Sequence, residues 1–363
     1  MKIHILSGFL GSGKTTAIEQ ACQQLGSKNI RTGVITNDQG IKLVDARFFK
    51  SRNITTRQVG NGCFCCRFDE LEAQIQSLAD ADEPELIFAE SVGSCTDIMA
   101  TVIRPLLKYH GSAEVRFSTF ADVRLLHLLL SGKPTSFDER VRYIYYKQLE
   151  EAGLIVVNKI DLLDPSSLQE VKQLVGEKYA GKPVLYQNSL DTAGITRWLQ
   201  VADQYPAVYG LPSPEIDYDI YAEGEASLAW LDQELEIHSA ANTARQDAAR
   251  LMNRIYQKIR ERNWPIGHLK FSVEGETKVS FTAGMKFTAG MEDRTMEASA
   301  QMPAIFTGLL INARVQTDPE SLEQLVSAAV DEVETGSGCR IVSVTKSSFQ
   351  PGYPRPTHRI TAL

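Results

Sequence analysis

Residues 8–16 read Gly8-Phe9-Leu10-Gly11-Ser12-Gly13-Lys14-Thr15-Thr16, and Gly8, Gly13, Lys14 and Thr15 satisfy the G-x-x-x-x-G-K-[ST] pattern of a P-loop. Glycines at this spacing let successive backbone N–H groups turn onto phosphate oxygens with no Cβ in the way. Gly8, Gly11, Ser12, Gly13 and Thr16 are therefore expected to line a nucleotide's phosphates, with Lys14 bridging the outer ones and the Thr15 hydroxyl on Mg²⁺. The flanking sequence fits. Lys2 to Leu6 is a short apolar strand feeding the loop, and Lys14 to Leu25 has the character of a helix whose positive end faces the anion.

Working outward, a chain of 363 residues with 43% hydrophobic residues suggests two domains, each with an ordinary buried core. The formal net charge of −7 and the lack of any basic run argue against a nucleic-acid or anionic-membrane partner. Apolar stretches such as Leu125 to Leu130 fall far short of the roughly 20 residues that span a bilayer. With the first strand starting at residue 2, no cleavable leader is expected. Three of the six cysteines crowd into residues 63–66, while Cys22, Cys95 and Cys339 stand alone. That is not a secreted disulfide framework, so a reducing, cytoplasmic setting is expected.

Strand and helix signals alternate up to residue 186. Strands are expected at 31–36, 54–59, 85–89, 114–120, 154–157 and 184–186, and helices at 68–79, 97–109, 137–151 and 165–178. This alternation predicts an α/β fold, a P-loop NTPase with a mostly parallel, doubly wound sheet covered on both faces, over residues 1–204. Nucleotide is then expected at the carboxyl ends of the strands. Pro206, Gly210, Pro212 and Pro214 mark a linker at 205–215. Residues 216–363 read as β-α-β-β-α-β, a C-terminal α+β ferredoxin-like domain, with its first strand near 216–237 and an insertion near 275–303. The insertion repeats Phe-Thr-Ala-Gly-Met at 281–285 and 287–291. With Met296 and Met302 it reads either as a hairpin with methionines filling gaps or as a thioether site for a soft metal.

Asn158-Lys159-Ile160-Asp161 directly follows an apolar strand, and this N-K-x-D spacing selects guanine. A carboxylate at Asp161 accepts from guanine N1–H and N2–H₂ together, Asn158 supports the O6/N7 side, and adenine would leave the carboxylate unpaired. Glu90 and Gly93, at the end of another strand, have the spacing of an acidic residue that orients Mg²⁺ or its water and a glycine N–H that senses the γ-phosphate. Asp38, in the polar loop Asn37-Asp38-Gln39-Gly40, is a further candidate for Mg²⁺ or for positioning the attacking water. Cys63-Phe64-Cys65-Cys66 follows a Gly-Asn-Gly turn, and soft thiolates there suit Zn²⁺ or another thiophilic ion. A tetrahedral site needs one more ligand, which Asp38, a histidine, water or a second subunit would supply. The six histidines are scattered and, His268 and His358 included, read as packing or hydrogen-bonding residues.

In this order the P-loop, the Asn-Asp-x-Gly switch with Asp45 beyond it, Gly-Cys-Phe-Cys-Cys, Glu-x-x-Gly and Asn-Lys-Ile-Asp resemble the CobW family of metal-linked GTPases, relatives of the nickel-insertion GTPases of urease and hydrogenase maturation. The resemblance covers residues 1 to about 200. It implies GTP hydrolysis, GTP/GDP and Mg²⁺ as ligands, and handling of Zn²⁺ or Co²⁺ for a client metalloprotein or corrinoid protein. Two departures stand out. Asn37-Asp38-Gln39-Gly40-Ile41 replaces the usual Asn-Glu-x-Gly-Glu, so a carboxylate is absent at 41. Glu90-Ser91-Val92-Gly93-Ser94-Cys95 replaces the common Glu-Thr-Thr-Gly-Leu-Ala.

The expected activity is slow GTP hydrolysis in a metallochaperone or cofactor-loading factor, with Lys14, Asp38 and Glu90 at the reacting phosphate. No arginine finger is assignable within the chain, so a partner or a nucleotide-dependent homodimer is expected to complete the site. The rival readings are a P-loop kinase acting on a small molecule and a non-catalytic metal sensor that holds GTP as a structural ligand.

Overall fold

The computed structural model describes residues 1–37, 49, 54–60, 62–111, 113–133, 137–207, 211, 213–274, 281–288, 291–294 and 302–361, of which 274, 281–288 and 291–294 are described by their backbone. Asp38, Asp45, Met296 and the rest of the switch loop therefore lie outside the described residues. The chain divides into two compact units. The first takes in residues 1–39, 45–224 and 353–363, so that 216–224 and the last stretch of the chain pack with the P-loop unit.

The first unit is built on seven strands, β1 (Lys2–Gly8), β2 (Thr32–Asn37), β3 (Thr56–Val59), β4 (Leu86–Glu90), β5 (Glu114–Asp122), β6 (Leu154–Asn158) and β7 (Val184–Tyr186), in the order β3-β2-β4-β1-β5-β6-β7. Every pairing is parallel. The central strands read as continuous apolar runs because both faces are covered, and Leu-Ile-Val-Val-Asn of β6 is buried throughout. The covering helices are α1 (Lys14–Gly26), α2 (Phe68–Asp82), a π-helical turn Met99–Ile103 running into α3 (Arg104–Tyr109), α4 (Val123–Leu130), α5 (Glu139–Glu151), α6 (Pro165–Lys178) and α7 (Thr192–Gln204). Aspartates set several of their starts: Asp122, Asp138, Asp164 and Asp191 each accept backbone N–H groups of the first turn. Parallel strands bring the loops after β1, β2, β3, β4 and β6 to one edge of the sheet. Next to β1 the order turns, with β4 on one side and β5 on the other, and the P-loop leaves β1 at that point.

The stretch near 216–237 is not one strand. It is α8 (Tyr218–Ala226) followed by β8 (Leu228–His238). Tyr221 of α8 and Ile216 just before it pack in one small apolar cluster with Ile144, whereas five residues apart on a strand they would face opposite sides. From β8 the second unit runs through α9 (Ala244–Glu261), β9 (Ile266–Glu274), the hairpin β10 (Phe281–Thr288) and β11 (Met291–Arg294), β12 (Phe306–Gln316), α10 (Pro319–Ser337) and β13 (Arg340–Phe349). Its sheet order is β11-β10-β9-β12-β8-β13, antiparallel in every pair. Without the hairpin this is the split β-α-β arrangement, with β8 and β12 central. The first Phe-Thr-Ala-Gly-Met segment lies in β10, and the second begins there and ends at Met291, the first residue of β11; β10 extends the sheet from β9. Leu251, Met252, Ile255 and Ile259 of α9 and Leu322, Leu325 and Val326 of α10 fill one core with alternate residues of the sheet.

Candidate nucleotide and metal site

Backbone geometry first makes the P-loop. Gly8 and Gly13 have φ of 126° and 95°, and a Cβ at either would sit 2.1 Å from the Phe120 carbonyl oxygen or 2.3 Å from Asn158 Nδ2. Only glycine fits there. The Lys14 ammonium donates to the Gly8 carbonyl at 2.7 Å and the Phe9 carbonyl at 3.4 Å, which folds the lysine back over the loop. Helix α1 starts at left-handed Gly13 with no side-chain cap, leaving its first-turn N–H groups for a ligand. The Ser12 hydroxyl is buried and, among the described residues, has no hydrogen-bond partner. Those of Thr36 and Ser91, flanking the end of β4, are in the same position. Gly11 and Thr16 complete the loop. Phosphate and hydrated Mg²⁺ suit this set of donors and hydroxyls.

Thr15 Oγ1 donates to Glu90 Oε1 at 2.9 Å, so the two residues that the sequence assigns to Mg²⁺ meet across the end of β4. Gly93 lies against the P-loop itself, where a Cβ would come within 2.9 Å of Leu10 N. Gln148 of α5 fixes that loop by donating to the carbonyls of Gly93 at 3.0 Å and Cys95 at 2.8 Å.

The Asn158 carboxamide is engaged in the protein. Its Nδ2 donates to the Ser12 carbonyl at 2.9 Å, and its Oδ1 accepts from Ser189 N and Oγ at 2.9 and 2.8 Å. It therefore ties the P-loop to the loop after β7. Lys159, at a left-handed φ of 63°, sends its ammonium to Asp122 at 3.1 Å. Asp122 also holds Arg124 at 2.7 Å. Burial would raise this carboxyl, but the hydrogen bonds and charges of Arg124 and Lys159 outweigh it and bring it below the ordinary value. Asp161 is exposed just beyond. Asp122 and Arg124 went unnoticed in the sequence, although a strand ending in Asp before an apolar helix is a readable cap signal.

The cysteine loop sits at the end of β3. Cys63 Sγ lies 2.8 Å from Cys65 Sγ, which lies 3.8 Å from Cys66 Sγ, and all three sulfurs fall within 4.8 Å of one another. Hydrogen bonds from the Cys65, Cys66 and Cys95 thiols favour a thiolate on Cys63 and hold it well below the usual thiol range despite burial. The bond to Cys63, with burial, pushes Cys66 up to about 11. Two distant segments hold this loop in place. Asn37, at the end of β2, donates to the carbonyls of Val59 at 3.1 Å and Gly62 at 2.7 Å and accepts from Phe64 N at 2.8 Å. From the far end of the chain, Arg355 N donates to Cys66 Sγ at 3.2 Å and Thr357 N to the Cys65 carbonyl at 2.8 Å. That segment is anchored by Arg359 on Asp97 at 2.7 Å and by Arg104 on the Ile360 carbonyl at 2.8 Å. His358 packs between Phe68 and Tyr109, with ring centroids 5.2 Å away on each side, a packing residue as expected. Neither Cys95 nor residues 355–360 were assigned to the thiol site from the sequence; Ser94-Cys95 stood out there only as a departure.

A P-loop on a parallel sheet, with a thiol cluster on the same edge, defines a nucleotide-binding unit that also carries a soft-metal donor set. Residues 2–186 match the CobW/HypB/UreG nucleotide-binding domain, and the chain belongs to that family. It is similar to the zinc chaperone CobW of a Sinorhizobium species, 28% identical over 205 residues that make up 50% of this chain and 57% of that one. To the zinc chaperone YjiA of Escherichia coli K12 it is 33% identical over 96 residues, 26% of this chain and 30% of that one. These matches span 57% and 30% of the relatives' own length. Among solved structures, HypB from Helicobacter pylori in complex with nickel aligns with a TM-score of 0.40 at 16% identity, covering 57% of this chain and 90% of that one. Among the described residues no helix is long and apolar enough to cross a membrane.

Proposed function

We propose that this protein is a GTP-hydrolysing metallochaperone that holds a thiophilic ion, Zn²⁺ or Co²⁺, at Cys63, Cys65 and Cys66 and changes its grip with nucleotide state. The observation that carries this reading is Asn37. Its carboxamide joins the end of β2, from which the switch loop departs, to both sides of the cysteine turn. A switch loop rearranged by γ-phosphate and Mg²⁺ would act on the thiols through that one side chain. The zinc chaperones to which the chain is similar support zinc as the cargo.

In this reading the loop amides and Lys14 bind the phosphates, and Thr15 with Glu90 holds Mg²⁺, which would supply charge neutralisation at the β- and γ-oxygens. Gly93 follows the γ-phosphate, Asp38 or Glu90 positions the attacking water, and Asp161 selects guanine. Asn158 and Lys159 brace the P-loop from the base side. A client metalloprotein or corrinoid protein receives the ion, and a partner or second copy of the chain completes the hydrolytic site.

The test is linkage. Metal affinity is measured by competition with a chromophoric chelator in the presence of GDP and of a non-hydrolysable GTP analogue. A difference of about 5- to 150-fold is expected, the range of ordinary coupling energies. Equal affinities with both nucleotides bound would remove the chaperone mechanism and leave a nucleotide-binding protein with a structural metal. Guanine selection has its own check: GTP should bind well ahead of ATP, and Asp161→Asn should shift preference toward xanthosine nucleotides.

A further inference from the structure

We infer that Cys95 is a fourth sulfur ligand of the metal site, so that this chain carries a four-thiol centre. The inference rests on the reading that Cys63, Cys65 and Cys66 hold a metal, and it names the group that closes the coordination sphere.

Cys95 is fully buried in the loop after β4. Its backbone is fixed, with its N–H on the Val92 carbonyl at 3.1 Å and its own carbonyl accepting from Gln148 at 2.8 Å. Its thiol is in hydrogen-bond contact with both Cys63 and Cys65. Cys66, on the half-exposed side, also contacts Cys63 and Cys65. Two sulfurs thus form a shared edge, with Cys66 on one flank and Cys95 on the other, five of the six edges of a tetrahedron; metal binding would draw Cys66 and Cys95 together to close the sixth. Sulfurs bound at about 2.3 Å to a tetrahedral Zn²⁺ stand about 3.8 Å apart. The Cys65–Cys66 pair is already at 3.8 Å, and the Cys63–Cys65 pair at 2.8 Å needs to open by about 1 Å.

The sequence supports the same assignment from another direction. The chain has Ile41 where the CobW pattern carries a carboxylate, and it has Cys95 where that pattern commonly carries alanine. The soft donor at 95 lies against the Cys63 and Cys65 thiols. A small buried residue with no role would need only the alanine. Four thiolates select a soft, tetrahedral ion such as Zn²⁺ over Mg²⁺, which demands oxygen donors.

The experiment is X-ray absorption at the zinc edge on the full chain loaded with one equivalent of Zn²⁺. Four sulfurs at about 2.3 Å are expected for the unaltered protein. Cys95→Ala should give three sulfurs and one lighter atom, lower the cobalt charge-transfer intensity by about a quarter and weaken zinc binding by about tenfold or more. Three sulfurs and one lighter atom in the unaltered protein would overturn the inference while leaving the three-cysteine reading in place. A shell without sulfur would overturn both. The unaltered protein's spectrum decides the matter even if the variant folds poorly.

Discussion

At the end of β1 the P-loop is shaped by its own glycines and braced by one strand-end residue, Asn158, whereas at the end of β3 the cysteine loop is held by Asn37, by the Cys95 loop and by Arg355 and Thr357. The two sites share a sheet edge and even a device, since Asn37 and Asn158 both use a strand-end carboxamide to pin a neighbouring loop. They differ in where their partners come from. A phosphate site needs backbone N–H groups, which one short segment provides. A soft-metal site needs side-chain sulfurs converging on one point, and adjacent cysteines alone seldom converge. The cysteine loop is accordingly held by several segments, and each is a route by which another event would reach the thiols.

If the two regions are separable in this way, Lys14→Ala should lower GTP hydrolysis by at least about 100-fold, the ordinary consequence of losing a charge that faces the transferred phosphoryl group. The cobalt charge-transfer spectrum should stay as it was. Phosphate release at the original rate would mean that this loop is not the reacting site. The converse substitution, Ser at Cys63, Cys65 and Cys66 together, should remove that band and cost at least about tenfold in zinc affinity, with GTP affinity in the absence of metal changed by less than a few-fold. A band that survives would place the metal elsewhere.

Asn37→Ala sharpens the comparison, because it cuts a link and touches neither ligand. It leaves the Phe64 N–H and the carbonyls of Val59 and Gly62 without their partner, which should lower stability in urea by about 1–3 kcal/mol. It should also reduce the difference in metal affinity between the two nucleotide states. Coupling of undiminished size would show that the signal travels through the Gly93–Cys95 loop instead.

A last effect concerns pH and touches neither site's ligands. Glu151 is buried between Thr96 Oγ1 at 3.1 Å and Met99 N at 2.9 Å, and burial pushes its carboxyl up to about 8. Between the unfolded value near 4.5 and 8 the folded protein keeps a proton that the unfolded chain gives up. Stability from this group is therefore complete below that window and falls as pH rises through it, by on the order of 1 kcal/mol per unit. Glu151→Gln should flatten the decline between pH 6.5 and 8, seen in denaturant midpoints taken across that range. An unchanged decline would assign it to another group.

The P-loop, the N-K-x-D turn and the three clustered cysteines were legible because each is a local pattern with a chemical reason at fixed spacing. The alternation of buried strands and amphipathic helices likewise carried the sheet, and β7 at Val184–Tyr186 appears where the apolar triplet puts it. Helix α4 and helix α7 were not recognised. The first is so apolar that period gives no contrast, and the second follows an Asp191 cap that composition alone did not mark. Cys95 escaped because its meaning depends on the parallel pairing of β2 with both β3 and β4, which sets their loops on one edge. Asn158 was read as a base contact, and its hold on Ser12 and Ser189 belongs to tertiary structure.

The return of residues 355–360 to the cysteine loop also fixes an order of events during synthesis. Arg355 and Cys66 are 289 residues apart, and residues 225–352 of the second unit are made between them. At about 5–20 residues per second the ribosome needs roughly 15–60 seconds to cross that interval. For that time a chain with a finished P-loop has thiols that lack their last backbone donor. A chain that stops before residue 355 would lack the backbone donors that Arg355 and Thr357 give to Cys66 and Cys65.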